Sequence, residues 1–219
     1  MFFLFCVFSI SIFALVKRQK VEVMGKVKGE IVESEPLAIE DYKLLLECLS
    51  LDKMYLLELY CRLSFCTALR ISDVLSLTWA DILYKDTICK VEHKTQKTRL
   101  IKVGDTNKKR FIELYELLRR PDLNKAVIRH PKKEEAYTAR QMNRILKRLR
   151  NKYHLPISRI STHTLRKTFG KYVYEKEGKT ESALVLLSKI FNHSSIAITR
   201  RYIGLNQEQI NDVYASIDF

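Results

Sequence analysis

The sequence predicts a mainly helical fold with one small antiparallel β-sheet, the α+β class. Three observations predict it. After Pro36, apolar residues recur near period 3.6 through most of the chain. One stretch, 86–103, instead alternates and is rich in β-branched residues. Gly and Pro number only 6 and 4 in 219 residues, too few for a many-turned β-sandwich. No G-x-x-x-x-G-K-[ST] and no G-x-G-x-x-G occurs, so nothing supports nucleotide binding. A hydrophobic content of 47% is enough for a core and excludes a wholly disordered chain.

The elements follow in order. Residues 2–16 (FFLFCVFSISIFALV) are apolar apart from two serines, and Lys17-Arg18-Gln19-Lys20 follows. A membrane-spanning helix needs about 20 residues, so this run is short for one. No charge precedes it and no A-x-A site follows, as a signal peptide would require. Three readings stand: an anchor with the basic cluster inside, a buried helix, or sequence translated ahead of a start at Met24. Each leaves the rest of the chain on the cytoplasmic side, and the folded part is not expected to have a membrane as partner. Residues 1–36 are therefore an apolar segment and charged linker, and 37–219 a single domain.

Helices are expected at about 39–50 (Leu44, Leu45, Leu49), 53–67 (Met54, Leu57, Tyr60, Cys61, Leu63, Ser64) and 71–77 (Ile71, Val74, Leu75, Leu77). DTICKVEHKTQKTRLIKV at 86–103 reads as a hairpin turning near Thr95-Gln96-Lys97. Further helices are expected at 105–119, 138–153, 162–176, 181–191, 195–202 and 206–217. The last places Ile210, Val213 and Ile217 on one face. The five cysteines (Cys6, Cys48, Cys61, Cys66, Cys89) are odd in number and form no C-x-x-C. They read as reduced thiols, not as a disulfide framework or a zinc site.

Charge is distributed unevenly. Lys and Arg number 39 against 25 Asp and Glu, a net +14, which predicts a polyanionic partner. Residues 129–179 hold 15 Lys/Arg, 4 Glu and no Asp. Within them, Met142, Ile145, Leu146 and Leu149 share one face of a helix, while Arg140, Arg144, Lys147, Arg148 and Arg150 cover most of the remainder. A solvated helix face normally mixes signs, and no acid falls between 136 and 174. The face is read as a surface that tracks the phosphates of double-stranded DNA, with Arg140, Arg144, Lys147 and Arg148 as its contacts.

Four ordered segments then combine. CTALRISDVLSLTWADI carries an arginine at a helix start, HKTQKTRLIKV a lysine on a hairpin, HTLRKTFG a His and an Arg three apart, and FNHSSIAITRRY a His and a Tyr nine apart. Together they resemble the four boxes of the tyrosine recombinase (phage integrase) family, across about residues 37–219. The departures are small: Ala68 and Asn192 stand where the family has Gly, and Asp73 stands for Glu. The stretch between Arg166 and His193 is a few residues longer than usual, and a loop near Gly178 is expected to absorb it.

The resemblance implies the integrase catalytic-domain fold and a site-specific recombinase that cleaves and rejoins DNA through a 3′-phosphotyrosyl intermediate. It implies Arg70, Lys94, His163, Arg166, His193 and Tyr202 as catalytic residues. The chemistry accounts for these types. Guanidiniums are always charged and suit the oxygens of a phosphate in transit. A free phenol titrates near about 10 and needs a base and cations to attack; His163 is the expected base and His193 a donor to phosphate. The leaving 5′-oxygen needs a proton, assigned to Lys94, with Lys97 as fallback. Asp73, one helical turn from Arg70, is expected to orient that guanidinium. Two arginines do the work of a metal, so neither metal nor cofactor is expected. Trp79 is read as core.

About 36 residues precede the first helix, too few for the separate core-binding domain that family members usually carry. The resemblance therefore points to a catalytic-only enzyme or a truncated relic. It also implies a homotetramer on DNA, coupled through the 206–219 tail, and leaves room for an accessory DNA-bending protein. Two alternatives share the fold: a DNA-binding relative with impaired chemistry, against which the six intact residues argue, and a type IB-like topoisomerase.

Overall fold

The computed structural model describes residues 33–130, 133, 135–205 and 214–217. It is mostly helical with one two-stranded antiparallel sheet. Helices α1 (Ile39–Leu51) and α2 (Tyr55–Thr67) pack against each other and are followed by two single-turn helices, α3 (Ile71–Leu75) and α4 (Trp79–Leu83). Strands β1 (Thr87–Val91) and β2 (Thr98–Lys102) form the hairpin, pairing Thr87 with Lys102 and Val91 with Thr98. Helices α5 (Asp105–Leu117), α6 (Ala139–Lys152), α7 (Thr164–Lys176), α8 (Glu181–Phe191) and α9 (Ile196–Tyr202) complete it.

The expected elements that fall on described residues are found, with two changes between 71 and 83. The third helix stops at Leu75 instead of continuing to 77, and an unexpected turn of helix, α4, follows. A capping box makes that break. The Thr78 hydroxyl accepts from the Asp81 N–H while the Asp81 carboxylate accepts from the Thr78 N–H, satisfying donors that a short helix otherwise leaves unpaired. Trp79 is fully buried against Tyr115 of α5, as a core residue. The expected 206–217 helix falls almost wholly outside the described residues, as do the 2–16 segment and Cys6. Among the described cysteines, Cys48 and Cys61 are buried, Cys66 is half-buried and Cys89 is exposed, all as free thiols. Among the described residues no helix is long and apolar enough to cross a membrane.

Two hydrophobic clusters share the interior. The larger joins α1, α2, the hairpin, α5 and α6 through residues such as Leu45, Leu59, Ile88, Phe111 and Leu146. The smaller gathers Ala68, Leu184, Leu187, Phe191, Ile203 and Leu205 where α7, α8 and α9 meet. A buried carboxylate ties α5 to α2: Glu58 accepts from Arg62 and, through both oxygens, from Arg110.

Gly170 sets the spacing of the smaller cluster. A Cβ there would stand 2.6 Å from Ile203 Cγ2 and 2.9 Å from Phe191 Cζ. Ala in place of a helical Gly ordinarily stabilises by about 1 kcal/mol. Here the close approach reverses the sign, because overpacking a full core costs about 1–3 kcal/mol. Gly170→Ala is expected to lower the midpoint of chemical denaturation and to slow any chemistry that depends on Phe191 and Tyr202. An unchanged or raised midpoint would show that α7 has room to move.

Candidate active site

The four motif segments converge on the end of α8. Phe191 is its last residue and Asn192 its cap, in the left-handed conformation (φ 53°). Asparagine tolerates this region better than most residues, so it can stand where the family has glycine. Ala68 closes α2 in the same conformation (φ 49°), again at a family glycine. The two departures thus sit on the two turns that aim the motif residues: Ala68 just before Arg70, Asn192 just before His193.

Both arginines reach the same backbone oxygen. Arg166 Nη2 donates to the Phe191 carbonyl at 3.0 Å and Arg70 Nη2 at 3.4 Å. The Arg166 guanidinium also lies over the Phe191 ring, 4.8 Å from its centroid. Arg166 is 3% exposed, and its Nη1 is buried without a hydrogen-bond partner among the described residues. Burial pulls its pKa down to about 10, against the opposing pull of Tyr202, so it stays charged near neutrality.

Tyr202 ends α9 and is half-buried. Its ring packs edge-on against Phe191 and His193, with centroids 5.3 and 5.1 Å away. Its hydroxyl lies 3.3 Å from His163 Nδ1. Burial raises the phenol's pKa, while the charges of Arg166 and Arg70 oppose the rise. His163 caps the start of α7, its N–H donating to Ser161 Oγ at 3.1 Å. Burial, then the charges of Arg166, Lys167, Arg70 and Lys94, hold its pKa below the ordinary value. His193 Nδ1 pairs with the buried Thr199 hydroxyl at 3.0 Å; burial and the charges of Arg166 and Arg70 bring it down to about 4. Both imidazoles are therefore neutral at pH 7.

Five of the six expected residues form one cluster. The sixth, Lys94, is exposed on the hairpin turn, near enough for its charge to act on His163. Arg140, Arg144, Lys147 and Arg148 lie outside the cluster, exposed along α6 while Met142, Leu146 and Leu149 face the core. Arg150 departs from that face: it donates to the Ser158 carbonyl and to Asn151.

The expectation for Asp73 is corrected. Its Oδ1 accepts from the backbone N–H of His93 at 2.9 Å, so it fastens the hairpin turn and does not orient Arg70. Arg70 Nη1 donates instead to Glu92 Oε2 at 2.8 Å. Sequence reasoning missed Glu92, Arg99 and Lys167. Strand parity holds the signal for the first two, since Glu92 shares the inward face of buried Ile88, and Arg99 that of buried Ile101. Lys167 is buried, 5.3 Å from the Tyr202 ring centroid, and donates to Glu33 at 2.8 Å.

Comparison with known proteins gives the same picture. Residues 36–209 match the model of the phage integrase family. A probable integrase/recombinase, YoeC, of Bacillus subtilis (strain 168) is 34% identical over 148 residues, covering 68% of this chain and 77% of that one. The tyrosine recombinase XerC of Thermodesulfovibrio yellowstonii is 25% identical over 211 residues, 91% of this chain and 67% of its own. Among solved structures, the XerA recombinase superposes with a TM-score of 0.63 at 20% identity, covering 85% of this chain and 66% of its own. The XerH site-specific recombinase bound to a palindromic difH substrate gives 0.63 at 20% identity, over 92% of this chain and 58% of its own. These likenesses match the mostly helical fold with its small sheet. With a family model that matches most of its length, the chain belongs to the phage integrase family, the tyrosine recombinases.

Proposed function

We propose that this chain cleaves and rejoins double-stranded DNA at a specific site through a 3′-phosphotyrosyl intermediate, with Tyr202 as nucleophile. The observation that carries the reading is the buried Nη1 of Arg166, unpartnered among the described residues, beside a hydroxyl that faces a neutral imidazole. An unmet buried donor costs about 1–3 kcal/mol, and more on a charged group. A non-bridging phosphate oxygen would satisfy it.

The steps follow from the groups present. Tyr202 Oη attacks phosphorus while its proton passes to His163 Nδ1. Charge that builds on the non-bridging oxygens meets Arg166 and Arg70. In the tautomer whose Nδ1 accepts from the Thr199 hydroxyl, His193 carries its proton on Nε2, which donates to the same phosphate. The bond from phosphorus to the 5′-oxygen breaks, and Lys94 supplies the proton to the departing oxygen. Reversal with a 5′-hydroxyl of another strand completes the exchange. No step calls on a metal or cofactor. The exposed cations of α6 hold the duplex. Protomers assemble as a tetramer on DNA through the 206–219 tail, a reading supported by the exposure of Tyr214 and Ile217, which the described residues leave uncovered.

The test is covalent capture on nicked duplexes drawn from the DNA that flanks the gene. Tyr202→Phe removes one oxygen and keeps the packed ring. It is expected to abolish the SDS-resistant adduct and leave DNA affinity nearly intact; an adduct formed by the variant would exclude Tyr202.

The rate of adduct formation should also report the base. His163 must be neutral to accept a proton, and its pKa lies below the ordinary 6.5. The rate should therefore fall in acid solution with a midpoint below pH 6.5. A midpoint at or above pH 6.5 would remove His163 from the role.

Reversing two charges on α6, Arg144→Glu with Arg148→Glu, should weaken binding to all duplex sequences alike. It should also flatten the dependence of log affinity on log salt by about 0.9 for each phosphate that the protein no longer neutralises. An unchanged salt slope would place the DNA surface elsewhere.

A further inference from the structure

Glu92 lies just past the end of β1 and is fully buried, yet it has no part in the steps above. Its partners come from three of the four motif segments and are all donors. Oε2 accepts from Arg70 Nη1 at 2.8 Å, from the Thr95 hydroxyl at 2.7 Å and from Asn192 Nδ2 at 2.8 Å. Oε1 accepts from Arg99 Nη1 at 3.2 Å. Arg99 also donates to the carbonyls of Ala68 and Thr67, in the turn that launches Arg70. Thr95 is the residue after Lys94, and Asn192 the residue before His193.

We propose that Glu92 is a positioning residue for strand cleavage: its carboxylate fixes the Arg70 guanidinium against the scissile phosphate and locks the Lys94 turn and the His193 turn to it. The inference rests on the function proposed above. Geometry requires the group to be anionic. Each oxygen faces a guanidinium, so an amide in its place turns its NH₂ toward Arg70 or Arg99 whichever way it is flipped. Burial pushes the carboxyl up, but hydrogen bonds from Thr95 and Asn192 and the Arg70 charge hold it down to about 2, so the anion is kept throughout the working range. Removing one member of a buried charge cluster leaves the others uncompensated. Here that means a guanidinium released from its place beside Phe191.

The test compares the native chain with Glu92→Gln and Arg70→Ala on two nicked duplexes. One carries the ordinary scissile phosphodiester, mapped first with the native chain; the other carries a methylphosphonate there. The methylphosphonate lacks the charge that Arg70 is held to meet. On the phosphodiester, Glu92→Gln should bind DNA with native affinity and form adduct about 100-fold more slowly, the loss of one oxyanion donor. On the methylphosphonate, the deficit of both variants relative to the native chain should shrink toward one. Equal loss on both substrates would reduce Glu92 to a structural ion-pair partner, and a native rate on the phosphodiester would also overturn the proposal. If thermal melting shows that the Gln variant is unfolded, Glu92→Asp replaces it, keeping the charge but drawing it back one methylene. A loss on the phosphodiester that disappears on the methylphosphonate is again expected, and equal loss again overturns it. If the native chain forms no adduct on either duplex, the cleavage reading fails and Glu92 falls with it, whereas a native adduct with unaffected Glu92 variants overturns this inference alone.

Discussion

Two guanidiniums that share one carbonyl oxygen repel each other, and much of the fold around the site serves to keep them there. Like charges this close, at the effective dielectric of about 20 that suits a protein site, repel by a few kcal/mol. The Phe191 carbonyl, at the negative end of α8, takes a hydrogen bond from each. The Glu92 carboxylate neutralises one and also takes in Arg99. The Phe191 ring covers the other. Even so, Arg166 keeps one buried N–H unmet among the described residues.

That constraint explains where the backbone is unusual. Arg70 reaches the carbonyl only because α2 ends in a left-handed residue, Ala68, and the chain turns into α3. His193 reaches Tyr202 only because α8 ends the same way at Asn192. Gly170 lets α7, which carries His163 and Arg166, approach Phe191 and Ile203 closely. Three backbone features, on three helices, thus set the distances among five side chains. Asn192 does this while also donating to Glu92, which a glycine could not.

Much of this was legible in the sequence, and for physical reasons. Helices such as 138–153 announce themselves because one apolar stripe must face the core, and Met142, Leu146 and Leu149 do so. The hairpin was legible from alternation, and its turn falls where Thr95-Gln96-Lys97 placed it. The five clustered side chains were reached through motif resemblance; composition and spacing alone would have left any single His or Tyr ambiguous. What stayed hidden depends on tertiary pairing. Asp73 stands one turn from Arg70, which is the right helical spacing for an ion pair, yet the hairpin folds back and claims its carboxylate for the His93 N–H. Glu92 then takes Arg70 from 22 residues away. The turn at Trp79–Leu83 was too short for periodicity to register, although Thr78 and Asp81 spelled its cap.

The neutral histidines complete the logic. Burial, and then the charges of Arg166, Lys167, Arg70 and Lys94, favour the unprotonated imidazole of His163 near neutral pH. The same field works against the rise that burial imposes on the Tyr202 phenol. One electrostatic arrangement thereby keeps the imidazole unprotonated and eases ionisation of the phenol 3.3 Å away. The turn bearing that histidine is in turn fixed to α6: Asn143 accepts from the Thr162 N–H at 2.8 Å, one residue before His163. The helix whose outer face carries Arg140, Arg144, Lys147 and Arg148 is thus hydrogen-bonded directly to the turn that carries His163.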